Sequence, residues 1–131
     1  MIVKSLQSQY FIGNYSKVFQ DSTRSNRNVP IEIYYPSIYE GNNTPVAFGQ
    51  FPIIIFGHGF LMSFISYQNL WEEFVPKGYV IVFPRTEEGL INDHQEFGWD
   101  LQFLVIRMQE EGVDNDSPIF GAVHNLSLIH I

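Results

Sequence analysis

Two short apolar runs, Phe51 to Phe56 and Tyr79 to Phe83, constrain this chain more than any other feature. Neither alternates with polar residues, and both are far too short to cross a bilayer, so each reads as a strand covered on both faces. Pro52 is tolerated near the start of the first. Between them, Tyr67, Leu70, Trp71, Phe74 and Val75 fall on one side of a helix that Pro76 and Gly78 would stop. Strand, helix and strand over about thirty residues make a βαβ unit with a parallel sheet, which sets the fold class as α/β.

A second helix is predicted over about residues 95–110, with Leu101, Leu104, Val105 and Met108 on its buried side. Asp93 and Glu96 have capping-box spacing, Gly112 is expected to close the helix, and the turn-rich Asp114 to Pro118 follows. Upstream, residues 1–15 read as an irregular lead-in with a short strand near Tyr10 to Ile12. Tyr15 to Gln20 and Val29 to Tyr35 are strand-like and flank the turn chemistry of Asp21 to Asn28, giving an antiparallel hairpin that leads into the parallel units. Pro30 and Pro36 predict a peripheral position for the second hairpin strand. Ser37 to Gln50 is expected to be a connecting loop.

With 131 residues the chain suffices for one modest domain, and 45% apolar residues, including 12 Phe, exclude intrinsic disorder. A formal charge of -7 would repel a phosphate backbone, so nucleic acid is not an expected partner. The absence of cysteine rules out thiolate nucleophiles and Cys-based metal sites. No Walker sequence, complete dinucleotide fingerprint or paired-histidine zinc motif is present, and no cofactor is expected. Met1-Ile2-Val3-Lys4 lacks the features of a signal peptide, which implies a cytoplasmic protein if that start is authentic and allows export if it is not. Oligomeric state is not legible.

The chemistry-bearing segment is Gly57-His58-Gly59-Phe60, at the carboxyl end of the first buried strand, where open α/β sheets place their ligand sites. Glycines there let backbone N–H groups approach a ligand, and two such donors could stabilise an oxyanion. Phe60, Leu61 and Phe64 read equally well as an apolar wall beside a substrate or as ordinary packing.

Ile53 to Phe60, preceded by Asp21, Arg24, Pro30 and Tyr34-Tyr35-Pro36, resembles the α/β-hydrolase superfamily. It is most similar to the group of dienelactone hydrolases, chlorophyllases, platelet-activating-factor acetylhydrolases and polyester-hydrolase-like lipases. The resemblance continues through Gly78 to Val82, Pro84, Asp100-Leu101, Ser117-Pro118 and Gly121, and covers about residues 14–125. It implies that the Phe60 backbone N–H is an oxyanion-hole donor, with Leu61 the weaker candidate, and that the His58 ring supports the loop. It also implies a serine carboxylic-ester hydrolase acting on a small-molecule or lipid-like ester.

No Gly-x-Ser-x-Gly nucleophile elbow occurs in the chain, and in such hydrolases the acid and histidine follow the serine. Residues 1–125 are therefore expected to be an incomplete hydrolase domain without its triad, and this chain to be inactive by itself. Leu126 to Ile131 resembles the in-frame translation of a transposon-end sequencing adapter, with a genuine terminal strand as the alternative. Rival readings of the whole are a noncatalytic α/β binding module and a peptidase of the same fold.

Other polar residues have plainer expectations. Ser63 and Ser66 would open the helix after Phe60, and His94 and His124 would cap or be exposed. Arg24 after Asp21, with Arg27 near them, reads as a solvated turn, with an ionic turn or an anion site as alternatives, and the pairs Glu72-Glu73, Glu87-Glu88 and Glu110-Glu111 read as surface charge. Tyr67 and Trp71 fit the helix core.

Overall fold

A computed structural model describes residues 9–59, 62–89 and 92–130, the last six by backbone alone. Six strands form one sheet: β1 (Phe11–Asp21), β2 (Arg27–Ser37), β3 (Gly41–Asn42), β4 (Phe51–Ile55), β5 (Val80–Pro84) and β6 (Val123–His130), in the order β3-β1-β2-β5-β4-β6. β1 and β2 are an antiparallel hairpin, and β4 pairs in parallel with both β5 and β6. Helix α1 (Gln68–Phe74) lies between β4 and β5, and α2 (His94–Val113) between β5 and β6.

The period of two sorts the strand residues onto two covered faces. Ile31, Ile33, Ile53, Ile55, Val80 and Val82 join Leu101, Leu104 and Met108 of α2 in one cluster. Tyr34, Ile54, Ile81 and Phe83 turn the other way and pack with Phe64, Trp71 and Val75. The sheet is thus sandwiched between helices, which is why β4 and β5 carry no polar residue. Tyr34 stacks on Trp71 with ring centroids 4.0 Å apart. Burial, reinforced by Glu32 and opposed by Arg85, pushes its phenol pKa up to about 12.

Several sequence expectations are corrected. β1 is regular from Phe11, so part of the expected lead-in is strand. β2 is interior rather than peripheral, because its prolines stand where no donor is needed. Its ladder with β5 covers Ile31 to Tyr34 only, and Pro30 and Pro36 flank that span while their carbonyl oxygens accept from Arg85 and Ala47. The predicted first helix is α-helical only over Gln68–Phe74, with 3-10 turns at Phe64–Tyr67 and Val75–Lys77. Ser63 occupies the cap position without a side-chain hydrogen bond, and Ser66 lies inside the 3-10 turn.

Glu111 is not surface charge. It is 2% exposed and accepts from Tyr15 Oη at 2.9 Å, Ser117 Oγ at 3.0 Å and Lys17 Nζ at 3.0 Å. Burial, with Glu111 beside it, holds the Tyr15 phenol pKa far above its ordinary value. Gly112 does not end α2, which continues to Val113. Instead it lets the helix touch β6, since a Cβ there would lie 2.7 Å from Val123 Cβ.

β6 occupies the place of the third parallel strand and includes residues 126–130. Its register with β4 breaks across the join: from Phe51↔Val123 to Ile53↔Leu128, β6 advances five residues while β4 advances two. Among the described residues, no helix is long and apolar enough to cross a membrane.

Gly112→Ala sets a helix-propensity gain of about 1 kcal/mol against an overpacking cost of about 1–3 kcal/mol. A net loss of about 1 kcal/mol is expected in urea unfolding, and a stabilised variant would contradict the close helix-strand contact.

Candidate active-site loop

β4 and β5 are parallel neighbours, so the loops leaving their carboxyl ends begin side by side. Phe56 N–H donates to the Val82 carbonyl oxygen at 2.9 Å, and the chain then enters Gly57-His58-Gly59. Beyond β5, Arg85 N–H is held by the Pro30 carbonyl oxygen at 2.8 Å, which brings Thr86 opposite His58. His58 Nε2 donates to the Thr86 carbonyl oxygen at 2.6 Å, and Nδ1 lies 3.0 Å from the Gly59 carbonyl oxygen. A carbonyl only accepts, so a hydrogen bond at either nitrogen needs a hydrogen there, and engaging both carbonyls at once needs the doubly protonated ring. The ring also packs against Phe97, with centroids 4.5 Å apart. Both nitrogens face loop backbone, which leaves neither placed to take a nucleophile's proton.

Gly59 N–H donates to Tyr67 Oη at 2.7 Å, and a Cβ on residue 59 would meet that hydroxyl at 3.1 Å. The Tyr67 ring packs on Phe56 as a core residue would, while its hydroxyl clamps the loop, which the helical period does not announce. With Gly59 N–H engaged, the next amides in sequence are those of Phe60 and Leu61. Both expected donors lie outside the described residues. Phe64 is buried against Trp71 and Phe83, with the Arg85 guanidinium 4.8 Å above its ring, in the manner of core packing.

His58, Gly59, Glu87, Asn92, His94 and Phe97 line a crevice of about 20 Å³, room for one water. His94 is exposed at its rim, and His124 is exposed on β6, distant in sequence from both loops. Asp93 caps α2 by accepting from Gln95 and Glu96 N–H. The reciprocal half of the expected capping box fails: Asp93 N–H donates to Glu87 Oε1, because Glu96 is drawn to the arginines.

Those arginines are the largest departure from the sequence expectation. Arg24 and Arg27 do not form a solvated turn; they converge on Asp100, which is 0% exposed within α2. Arg27 binds it with a fork, Nε to Oδ1 and Nη2 to Oδ2, both at 2.9 Å. Arg24 Nη2 is 2.7 Å from Oδ1, and Thr86 Oγ1 donates to Oδ2 at 2.6 Å. Arg24 also holds Asp21, and Arg27 holds Glu87 at 3.0 Å, so Glu87 is likewise paired. Burial alone would raise the Asp100 pKa, but hydrogen bonds from Arg27, Thr86 and Arg24 outweigh it and hold the carboxyl below its usual range. Only the basic turn and the Asp100-Leu101 resemblance hinted at this cluster; the pairing spans 73 positions.

The family described as Chlorophyllase matches residues 15–99. No curated protein matches the chain. Among solved structures, the ferulic acid esterase from Streptomyces cinnamoneus is similar at 14% identity and a TM-score of 0.65, over 94% of this chain and 52% of that one. A candidate dienelactone hydrolase from Klebsiella pneumoniae subsp. pneumoniae matches at 11% identity and a TM-score of 0.49, over 89% and 48% of the two chains. The chain therefore spans about half the length of these solved structures.

A carboxyl pKa depressed on folding makes its stabilisation complete above the unfolded value, about 3.9, and loses it as pH falls through the lower folded value. Stability should therefore drop on acidification below about pH 4. Asp100→Asn should flatten that drop and cost about 3–5 kcal/mol at neutral pH, because it leaves two arginine charges without their buried partner. Unfolding curves across pH test this, and an Asn variant as stable as the parent would contradict it.

Proposed function

The chain belongs to the chlorophyllase family of α/β hydrolases, and on that premise we propose that it is the amino-terminal part of a serine-dependent carboxylic-ester hydrolase. The observation that carries this reading is the braced loop at the carboxyl end of β4. The His58 ring is committed to Thr86 and Gly59 N–H to Tyr67, so the loop is rigid up to the residues whose amides would receive an oxyanion. In this reading Phe60 N–H is the principal donor and Leu61 N–H the second, while Phe64 underlies the acyl side.

The chemistry is acyl transfer. A serine attacks the ester carbonyl, a histidine takes its proton and returns it to the departing alcohol, and an acidic residue orients the histidine. Water then releases the carboxylate. The chain's own part is the preorganised donors, which stabilise the tetrahedral oxyanion; removing one such donor typically costs about 10²–10³ in kcat. The serine would come from an elbow beyond residue 125 that this chain does not contain, and the acid and base from sequence that follows it.

Residues 126–131 are then a foreign tail, a reading supported by the register break between Val123 and Leu128. The substrate is a small or lipid-like ester whose pocket walls come largely from the same missing sequence, in keeping with a crevice of about 20 Å³ beside His58.

The 131-residue chain should show no fluorophosphonate-sensitive hydrolysis of a p-nitrophenyl ester panel, while the longer product of the same gene should show it. Inhibitor-sensitive turnover by the short chain, or none by the long one, would overturn the proposal.

A further inference from the structure

The cluster at Asp100 and the loop at His58 are joined by hydrogen bonds through Thr86. Thr86 gives its hydroxyl proton to Asp100 Oδ2 at 2.6 Å and offers its carbonyl oxygen to His58 Nε2 at 2.6 Å. Asp100 is fully buried and cannot shift, because the Arg27 fork and Arg24 hold both its oxygens. Thr86 is itself buried, and Arg85 before it is tied to Pro30. One side of the hydrogen-bonded chain is therefore anchored in the hairpin and α2, and the other ends on the candidate oxyanion loop.

We propose that Asp100, held by Arg24 and Arg27, is a positioning residue that sets the orientation of the Gly59 peptide through Thr86 and the His58 ring. The path is geometric at each step. The Asp100 carboxylate holds the Thr86 side chain, and with Arg85 N–H held by Pro30 it anchors the residue whose carbonyl faces His58. That carbonyl orients the His58 imidazole, whose Nδ1, carrying hydrogen, donates to the Gly59 carbonyl oxygen at 3.0 Å beside the Met62 N–H that donates to it at 3.1 Å. A trans peptide directs its N–H opposite to its C=O, so holding the Gly59 carbonyl sets the direction of the amide that follows. Tyr67 secures Gly59 from its N–H side and does not depend on this path. The consequence for catalysis rests on the ester-hydrolase reading; the mechanical coupling does not.

The test uses the intact chain and NMR, so that it needs no turnover. Thr86→Val keeps the shape and deletes the hydroxyl, and Thr86→Ser restores it. In Thr86→Val, the His58 Nε2–H should exchange with solvent about tenfold faster, in line with a lost hydrogen bond to a charged group, and the amide resonance of the 59–60 peptide should move. Thr86→Ser should return both toward the parent values. The parent supplies a check that needs no variant: a scalar coupling across the hydrogen bond between His58 Nε2 and the Thr86 carbonyl carbon.

Unchanged His58 and 59–60 peptide signals in a folded Thr86→Val chain, or an absent coupling in the parent, would overturn the proposal. In the longer gene product, Thr86→Val should lower kcat about tenfold with KM nearly constant. No turnover in any form of the longer product would defeat the ester-hydrolase reading while leaving the NMR result to judge the coupling.

Discussion

A carboxylate with no solvent contact, Asp100, depends on two arginines from the hairpin and on Thr86, and much of the architecture depends on it in return. The cost of burying that charge is offset only because Arg27 meets it with both arms of its fork, Arg24 reaches one oxygen and Thr86 the other. These contacts tie the distal end of β1 and β2 to α2 and to the loop after β5. They stand beside the carboxyl ends of the parallel strands, where the fold places its chemistry. Hydrophobic burial alone would leave that end of the sandwich free to shift, since apolar packing is strong but non-directional.

This geometry divides the labour among the loop residues. His58 resembles a catalytic base in identity only, for its nitrogens are turned to Thr86 and Gly59. Tyr67 resembles a core aromatic in its spacing, yet its hydroxyl takes the Gly59 N–H. Preorganised backbone donors act because they need not rearrange as charge develops, so under the proposed ester-hydrolase function residues that only hold the loop would still bear on the rate.

Legibility in the sequence followed the range of the interaction. The unbroken runs at Phe51 and Tyr79 announced strands buried on two faces, and the stripe of Leu101, Leu104 and Met108 announced the helix over them, because each is a local pattern enforced by one environment. The Gly57-His58-Gly59 turn was visible by its place after a strand. The interior position of β2 was not, because the direction in which Pro30 and Pro36 would have donated depends on which strand lies alongside. Glu111, Arg24, Arg27 and Asp100 look like ordinary surface charge until residues far apart in sequence are brought together. Gly112 likewise carried the signature of a helix stop, and only the approach of Val123 reveals why a side chain is excluded there.

The most direct measurement is the crystal structure of the proposed longer hydrolase trapped as a phosphonate adduct on the serine proposed for it. The account predicts that the phosphonyl oxygen lies about 2.7–3.1 Å from the Phe60 backbone nitrogen, with the Thr86 and His58 contacts intact. An oxygen held by other donors, with the Phe60 amide turned into packed protein, would contradict it.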